Sequence, residues 1–413
     1  MGRLFFIGLL TSASLAALAR PWIGVVASYV IVVLTPQAVW WWNFQGLRPA
    51  YWVLLPTFVG LAIALANKRI SFAPLKNKLC LFMAVLWLAF AMSYWLGPYV
   101  DSTGPFRFHD PAQIFSMLNK VFILYFVACI CIDDAYKLKT LFYALCACFA
   151  YLTYWANDQY FSGHVFGRLA GPVDIYGDGA YADENHFAMA FVVAQPFLWY
   201  LGYGIQTRVL RWAVWLVIPF TWHAIFLTAS RGGLIGIAAV TLLMTMRSKS
   251  RLYGLLLIPA FIFAYQWQAG DLMKSRAETI GEYKTETSAS TRLEAWGAAS
   301  GMIAAWPLTG VGLASFGPAF PDYSDKKPRE AHNTFFQITA ESGVPAGSCY
   351  ILVMLYSILG LWRLTNRLRK QQQNVLGSPH HFTYLIAEAN LVALVGFAIC
   401  ALFLSLQISE VFY

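Results

Sequence analysis

About twelve apolar stretches, most of roughly 15–20 residues, recur along this chain and leave only short connections between them. They fall at residues 4–19, 21–36, 50–66, 79–96, 114–132, 140–157, 186–204, 212–229, 233–246, 252–268, 347–363 and 383–406. As helices, stretches of this length match the hydrocarbon thickness of a bilayer. Every backbone N–H and C=O in lipid must be satisfied within its own segment, so helices are the expected spans. Charge points the same way: 12% of the 413 residues are charged, against about 25% in soluble domains. The expected fold is all-α, a polytopic integral membrane protein of about twelve transmembrane segments. One long polar segment breaks the series. The chain therefore divides into transmembrane helices with short loops (1–268), a large helical loop (269–346) and C-terminal transmembrane helices (347–413).

The net charge of +9 would suggest a nucleic-acid partner in a soluble protein. Here Lys and Arg gather in short loops, where they orient the helices toward the cytoplasm, so no nucleic-acid partner is expected. The basic loops are 67–78 (Lys68, Arg69, Lys76, Lys78), 133–139 (Lys137, Lys139), 205–211 (Arg208, Arg211), 247–251 (Arg247, Lys249, Arg251) and 364–382 (Arg367, Arg369, Lys370). Alternation then puts loops 97–113 and 158–185, the turn near Ser230, and the large loop on the outer side. Arg3 followed by an apolar run resembles a signal peptide. More apolar segments follow at once, so it reads as a retained membrane segment. The first two segments, parted by Arg20-Pro21, have no fixed topology by this argument. Cys129/Cys131 and Cys146/Cys148 form C-x-C pairs with no histidine nearby, and read as small apolar packing residues.

Arginines on the cation-poor side single themselves out. Arg168 lies in Gly167-Arg168-Leu169-Ala170-Gly171-Pro172, ahead of a helix start at Asp183-Glu184-Asn185-His186. Arg231 lies in Ser230-Arg231-Gly232-Gly233, where Ser230 is a plausible N-cap. Free N–H groups, the positive helix end and a guanidinium together suit an anion. The plain alternative is a snorkelling interfacial arginine. In the large loop, Thr291-x-x-Glu294 reads as a capping box opening a helix at Arg292 that stops at Pro307. Asn333 or Thr334 caps a second helix that Gly343 and Pro345 end. That places His332 at a helix N-terminus, where the dipole favours a neutral ring able to accept a proton. The alternative is that His332 is only a cap or an interfacial hydrogen-bonding residue.

Ser230-Arg231-Gly232-Gly233, Ser290-Thr291-Arg292-x-x-x-Trp296, His332-Asn333-x-Phe335-x-Gln337 and Glu341-x-Gly343 with Gly347 resemble the bacterial O-antigen ligase and polymerase superfamily. The likeness is nearest to its lipopolysaccharide ligases and to the O-glycosylation ligases associated with exosortases; Arg20-Pro21 and Thr35-Pro36 add to the second. The resemblance implies a transferase of the bacterial inner membrane with its active site facing the periplasm. Its donor would be a glycan on undecaprenyl diphosphate, its acceptor a sugar hydroxyl of lipid A–core, and its surroundings membrane lipids. It implies inversion at the anomeric carbon and no metal or other cofactor. Carried over by position, diphosphate binding falls on Arg168, Arg231 and Arg292, and activation of the acceptor on His332. Asn333, Asp183, Lys120 and Ser230 are possible supporting residues.

The chemistry suits these residue types. Negative charge builds on the leaving diphosphate while an oxocarbenium-like centre forms, so arginines at the diphosphate and a base at the hydroxyl are what is needed. A polymerase or a protein O-oligosaccharyltransferase of the same superfamily differs in the acceptor, which short motifs do not separate. A transporter for lipid-linked sugars is the rival of another class. It calls for internal repeats and charged broken helices near the midplane. No repeat is obvious, and few ionisable groups, among them Lys120, Glu388 and Glu410, lie well inside or near the spans.

Overall fold

The computed structural model describes residues 2–103, 106–177, 179–248, 251–278, 287–371 and 379–405. Lys249, Glu410 and part of the large loop lie outside the described residues. Among those described, helices are connected by turns and no strand occurs. Each of the twelve expected apolar stretches falls on a helix. Among the described residues, eight helices are long and apolar enough to cross a membrane: Gly2–Ala19, Pro49–Ala66, Lys78–Leu96, Pro111–Cys131, Glu184–Gly204, Arg208–Thr228, Thr334–Lys370 and His381–Ala401. Leu252–Gln268 joins them only together with Asp271–Glu278, to which it is bent by 116°. Pro21–Leu34 is apolar but short. The chain is a multi-pass, all-α membrane protein.

The fold comprises two compact units. The first contains residues 1–75, 124–274 and 360–397. Its centre is Glu184–Gly204, which packs against Ala135–Phe161, Arg208–Thr228 and Arg231–Arg247. From Phe187 to Gly202 every side chain of this helix is buried. An all-round buried helix needs its polar groups matched. Gln195 meets that need by donating to Thr241 Oγ1 (3.1 Å) and accepting from Trp222 Nε1 (3.1 Å). The helices Glu184–Gly204 and Arg231–Arg247 approach so closely that a Cβ on Gly233 would lie 2.7 Å from that of Ala188. The helix Lys78–Leu96 of the other unit shows the opposite character, with Leu81, Val85, Leu88 and Met92 exposed along it.

One charged pair lies deep in the first unit. Arg247 is 5% exposed and Glu388 fully buried. The guanidinium donates twice to the carboxylate, Nε to Oε2 at 2.6 Å and Nη2 to Oε1 at 2.8 Å. It also donates to Thr365 Oγ1 at 2.9 Å and lies 4.5 Å from the ring centre of Trp362. Two opposite charges out of water are tolerable only with such bidentate geometry and satisfied remaining protons.

The second unit contains residues 76–123, 275–359 and 398–413. Its core is Ala295, Ala298, Ala299 and Met302 from the helix Thr287–Ala305, with Val311, Phe316, Ala319, Phe320, Ala331 and Ala340. The helix begins before Thr291, so the expected capping box does not open it. Thr287-Ser288-Ala289-Ser290 holds no Gly or Pro to stop the helix from extending upstream. Its far end matches expectation, closing at Ala305 before Pro307. The long helix Thr334–Gln371 breaks at Gly343, where φ is 80° and ψ 170°. Only glycine fits there: a Cβ would lie 2.3 Å from the carbonyl oxygen of Leu308.

Glu388→Ala should leave the Arg247 charge buried and unpaired, lowering stability by about 3–5 kcal/mol. Replacing both residues together, Arg247→Met with Glu388→Leu, should recover most of that loss. Thermal unfolding in detergent checks this; equal melting temperatures for Glu388→Ala and wild type would refute it.

Candidate functional site

Two clusters of the expected residues form, one in each unit. In the first unit, the helix Arg208–Thr228 ends at Ala229, a non-glycine residue with φ 48°. The chain reverses there and Ser230 opens the next helix, Arg231–Arg247, its hydroxyl accepting from Gly233 N–H at 3.1 Å. Ser230 is fully buried, and its N–H donates to Thr228 Oγ1 at 3.3 Å. Arg231 therefore occupies the first helical position, at the positive end of the helix.

Arg168 is fastened to this same turn. Its Nε donates to the carbonyl oxygen of Thr228 at 2.9 Å, and Leu169 N–H to that of Leu227 at 2.9 Å. Arg168 Nη2 donates to Asn185 Oδ1 at 2.9 Å, and Nη1 lies 3.3 Å from Glu184 Oε2. Glu184 and Asn185 begin the central helix, so Arg168 braces the Arg231 turn against it. A carboxylate already faces the Arg168 guanidinium, which reduces the charge it offers a second anion. Asp183 is the N-cap of the central helix, accepting from the N–H groups of Asn185 (2.8 Å) and His186 (3.1 Å). Burial raises its pKa, but the His186 charge and these two backbone donors outweigh it and hold the carboxyl below its ordinary range.

In the second unit, His332 takes up φ 47°, a left-handed conformation that costs a side chain with a Cβ about 1–2 kcal/mol. The bonds on either side explain how it is held. Ala331 N–H donates to Gln337 Oε1 at 2.9 Å, and Ala331 O accepts from Trp296 Nε1 at 2.9 Å. Asn333 Oδ1 accepts from Phe335 and Phe336 N–H at 3.0 and 3.2 Å, capping the helix that follows. Asn333 Nδ2 donates to Leu402 O at 3.2 Å and Thr334 Oγ1 to Leu404 O at 2.7 Å. The Trp296 ring stacks on Phe336, centroids 5.5 Å apart and planes 14° from parallel.

Beneath this turn lies a buried carboxylate. Glu341 is 3% exposed and follows Gln337 by one helical turn. Its Oε1 accepts from Gln337 Nε2 at 2.8 Å and from Phe316 N–H at 3.3 Å, and its Oε2 from Ala314 N–H at 3.2 Å. Its backbone oxygen accepts from Ser93 Oγ (2.7 Å) and Gly312 N–H (2.9 Å). A chain of bonds thus leads from Glu341 through Gln337 to Ala331, next to His332. Gln337 and Glu341 carried no role in the sequence reading, although their spacing of four already put them on one helix face.

Arg292 precedes Trp296 by four residues on the helix Thr287–Ala305 and so shares its face. Since Trp296 bonds to Ala331, that face is turned toward the His332 segment. Arg292 and His332 are each half-buried. A second tie runs from His109 Nε2 to Glu330 Oε1 at 3.2 Å, two residues before His332. That hydrogen bond, against the effect of burial, raises the His109 pKa. Lys120 is exposed on the helix Pro111–Cys131. Among the described residues, no group of three or more His, Cys, Asp or Glu side chains is placed to hold a metal ion.

The strained turn has a measurable signature. His332→Gly should be more stable than His332→Ala by about 1–2 kcal/mol, because glycine adopts positive φ freely. Thermal unfolding of the two variants checks this, and equal stabilities would contradict the left-handed assignment.

Residues 212–351 match the family model described as O-antigen ligase. No curated protein matches the chain. The matched stretch runs from the helix that ends at the Ser230 turn to the segment just past the Gly343 break, and it contains Arg231, Arg292 and His332. Over that stretch, about a third of its length, the chain is similar to the O-antigen ligase family.

Proposed function

We propose that this protein is an O-antigen ligase of the bacterial inner membrane. It transfers a glycan from undecaprenyl diphosphate to a sugar hydroxyl of lipid A–core, on the periplasmic side, in lipopolysaccharide biosynthesis. The observation that carries the reading is His332 on a left-handed turn, bonded on both sides and supported by Gln337 and Glu341, within the stretch that matches the ligase family. Strain held by surrounding bonds at one half-buried histidine suits a functional residue better than a cap, since Asn333 already does the capping.

In the reaction, the acceptor hydroxyl oxygen attacks the anomeric carbon from the face opposite the diphosphate. The new glycosidic bond forms, the bond from carbon to the diphosphate oxygen breaks, and undecaprenyl diphosphate leaves. His332 takes the hydroxyl proton. Arg231 and Arg292 offset the charge that grows on the leaving diphosphate, each by charge-assisted bonds. Arg168, held by Glu184, Asn185 and Thr228, contributes chiefly by fixing the turn that carries Arg231. Asp183 and Ser230 act as helix caps in that same scaffold, and Asn333 as the cap beside the base. Displacement from the opposite face gives inversion.

The test is purified protein with lipid-linked glycan and lipid A–core, run with and without EDTA. Wild type should transfer glycan in both. His332→Ala should lower the rate by about 10²–10⁴-fold, and Arg231→Ala or Arg292→Ala by about 10²–10³-fold. Undiminished transfer by His332→Ala would remove the base assignment. Loss of activity in EDTA, restored by Mg²⁺, would overturn the metal-free mechanism. Elongated lipid-linked glycan, formed whether or not lipid A–core is present, would instead identify a polymerase.

A further inference from the structure

The apolar stretch 347–361 continues without a break into Trp362-Arg363-Leu364-Thr365-Asn366-Arg367-Leu368-Arg369-Lys370, still helical. Arg363, Arg367 and Lys370 are spaced four and three apart and share one helix face. The opposite face is anchored in the first unit through buried Thr365 and Leu368. Trp362, Arg363, Asn366, Arg367 and Lys370 line one shallow cavity of about 480 Å³. Arg363, Arg367 and Lys370 are all exposed, and among the described residues none of the three pairs with a carboxylate. No acidic side chain is among the described residues lining the cavity. Arg247, which lies over the Trp362 ring, is already neutralised by Glu388 and offers the cavity no counter-charge.

We propose that this groove binds the phosphate headgroup of an anionic membrane phospholipid. The argument is one of depth and charge. The groove begins where the apolar stretch ends, at the level of a headgroup. Trp362, 45% exposed, provides an amphipathic ring at that boundary. Three uncompensated cations one helical turn apart present several donors to one phosphate. A zwitterionic lipid carries its own cation and fits a groove of three positive charges poorly.

The full-length protein in detergent would be titrated with phosphatidylglycerol or phosphatidylcholine, and the bound lipid read by native mass spectrometry. Wild type should retain phosphatidylglycerol in preference to phosphatidylcholine. Arg363→Gln and Arg367→Gln should each weaken retention about fivefold. Arg369→Gln, of equal charge change but off the groove, should leave it unchanged. Thermal unfolding of each variant separates lost binding from lost fold. Equal weakening by Arg369→Gln, equal retention of the two lipids, or displacement of phosphatidylglycerol by inorganic phosphate would overturn the proposal.

Discussion

The carboxylate of Glu341 is the point on which the second unit turns. It is buried, and it collects the N–H groups of Ala314 and Phe316 and the amide of Gln337. A buried carboxylate left without such donors would cost several kcal/mol, so the segment Ala314–Phe316 and the helix bearing Gln337 are locked in register. Gln337 then passes that order on to Ala331, and Trp296 holds Ala331 from the other side. His332 has little freedom left. Its positive φ is not a preference of the sequence but the residue of constraints met on both flanks.

The first unit solves a different problem. Its central helix is buried on all sides, and what must be positioned is the tight turn between the helices Arg208–Thr228 and Arg231–Arg247. Arg168 does this from a distant loop, bonding the turn at Thr228 and the central helix at Glu184 and Asn185. One guanidinium serves three partners because its planar fork presents donors in several directions at once. At Arg247 the same fork, closed on Glu388, joins the helix Arg231–Arg247 to the last described helix. In both places an arginine acts as a fastener.

Much of this was readable beforehand where the signal is local. Apolar length located every helix that bears a span. Ser230 and Asp183 announced helix starts, and Asn333 was one of the two residues proposed as cap for the third, because a short polar side chain before an apolar run has few other uses. Gly343 was legible as a break for a similar reason. The start of the helix Thr287–Ala305 was misplaced, since Thr291-x-x-Glu294 satisfies a capping pattern equally well from inside a helix. The partners of Arg168 were not legible: Glu184 and Thr228 are 16 and 60 residues away, and no spacing rule connects them.

By itself, then, the sequence determined the helical membrane class and the order of the spans, because bilayer thickness and backbone satisfaction act on each segment separately. It also marked the residue types suited to phosphate and to proton transfer. Only the tertiary structure decided that Arg168 braces a turn, that His332 is strained, and that Glu341 and Gln337 hold it so. These depend on groups far apart in the chain being desolvated together, and burial is a property of the packed fold that no local pattern carries.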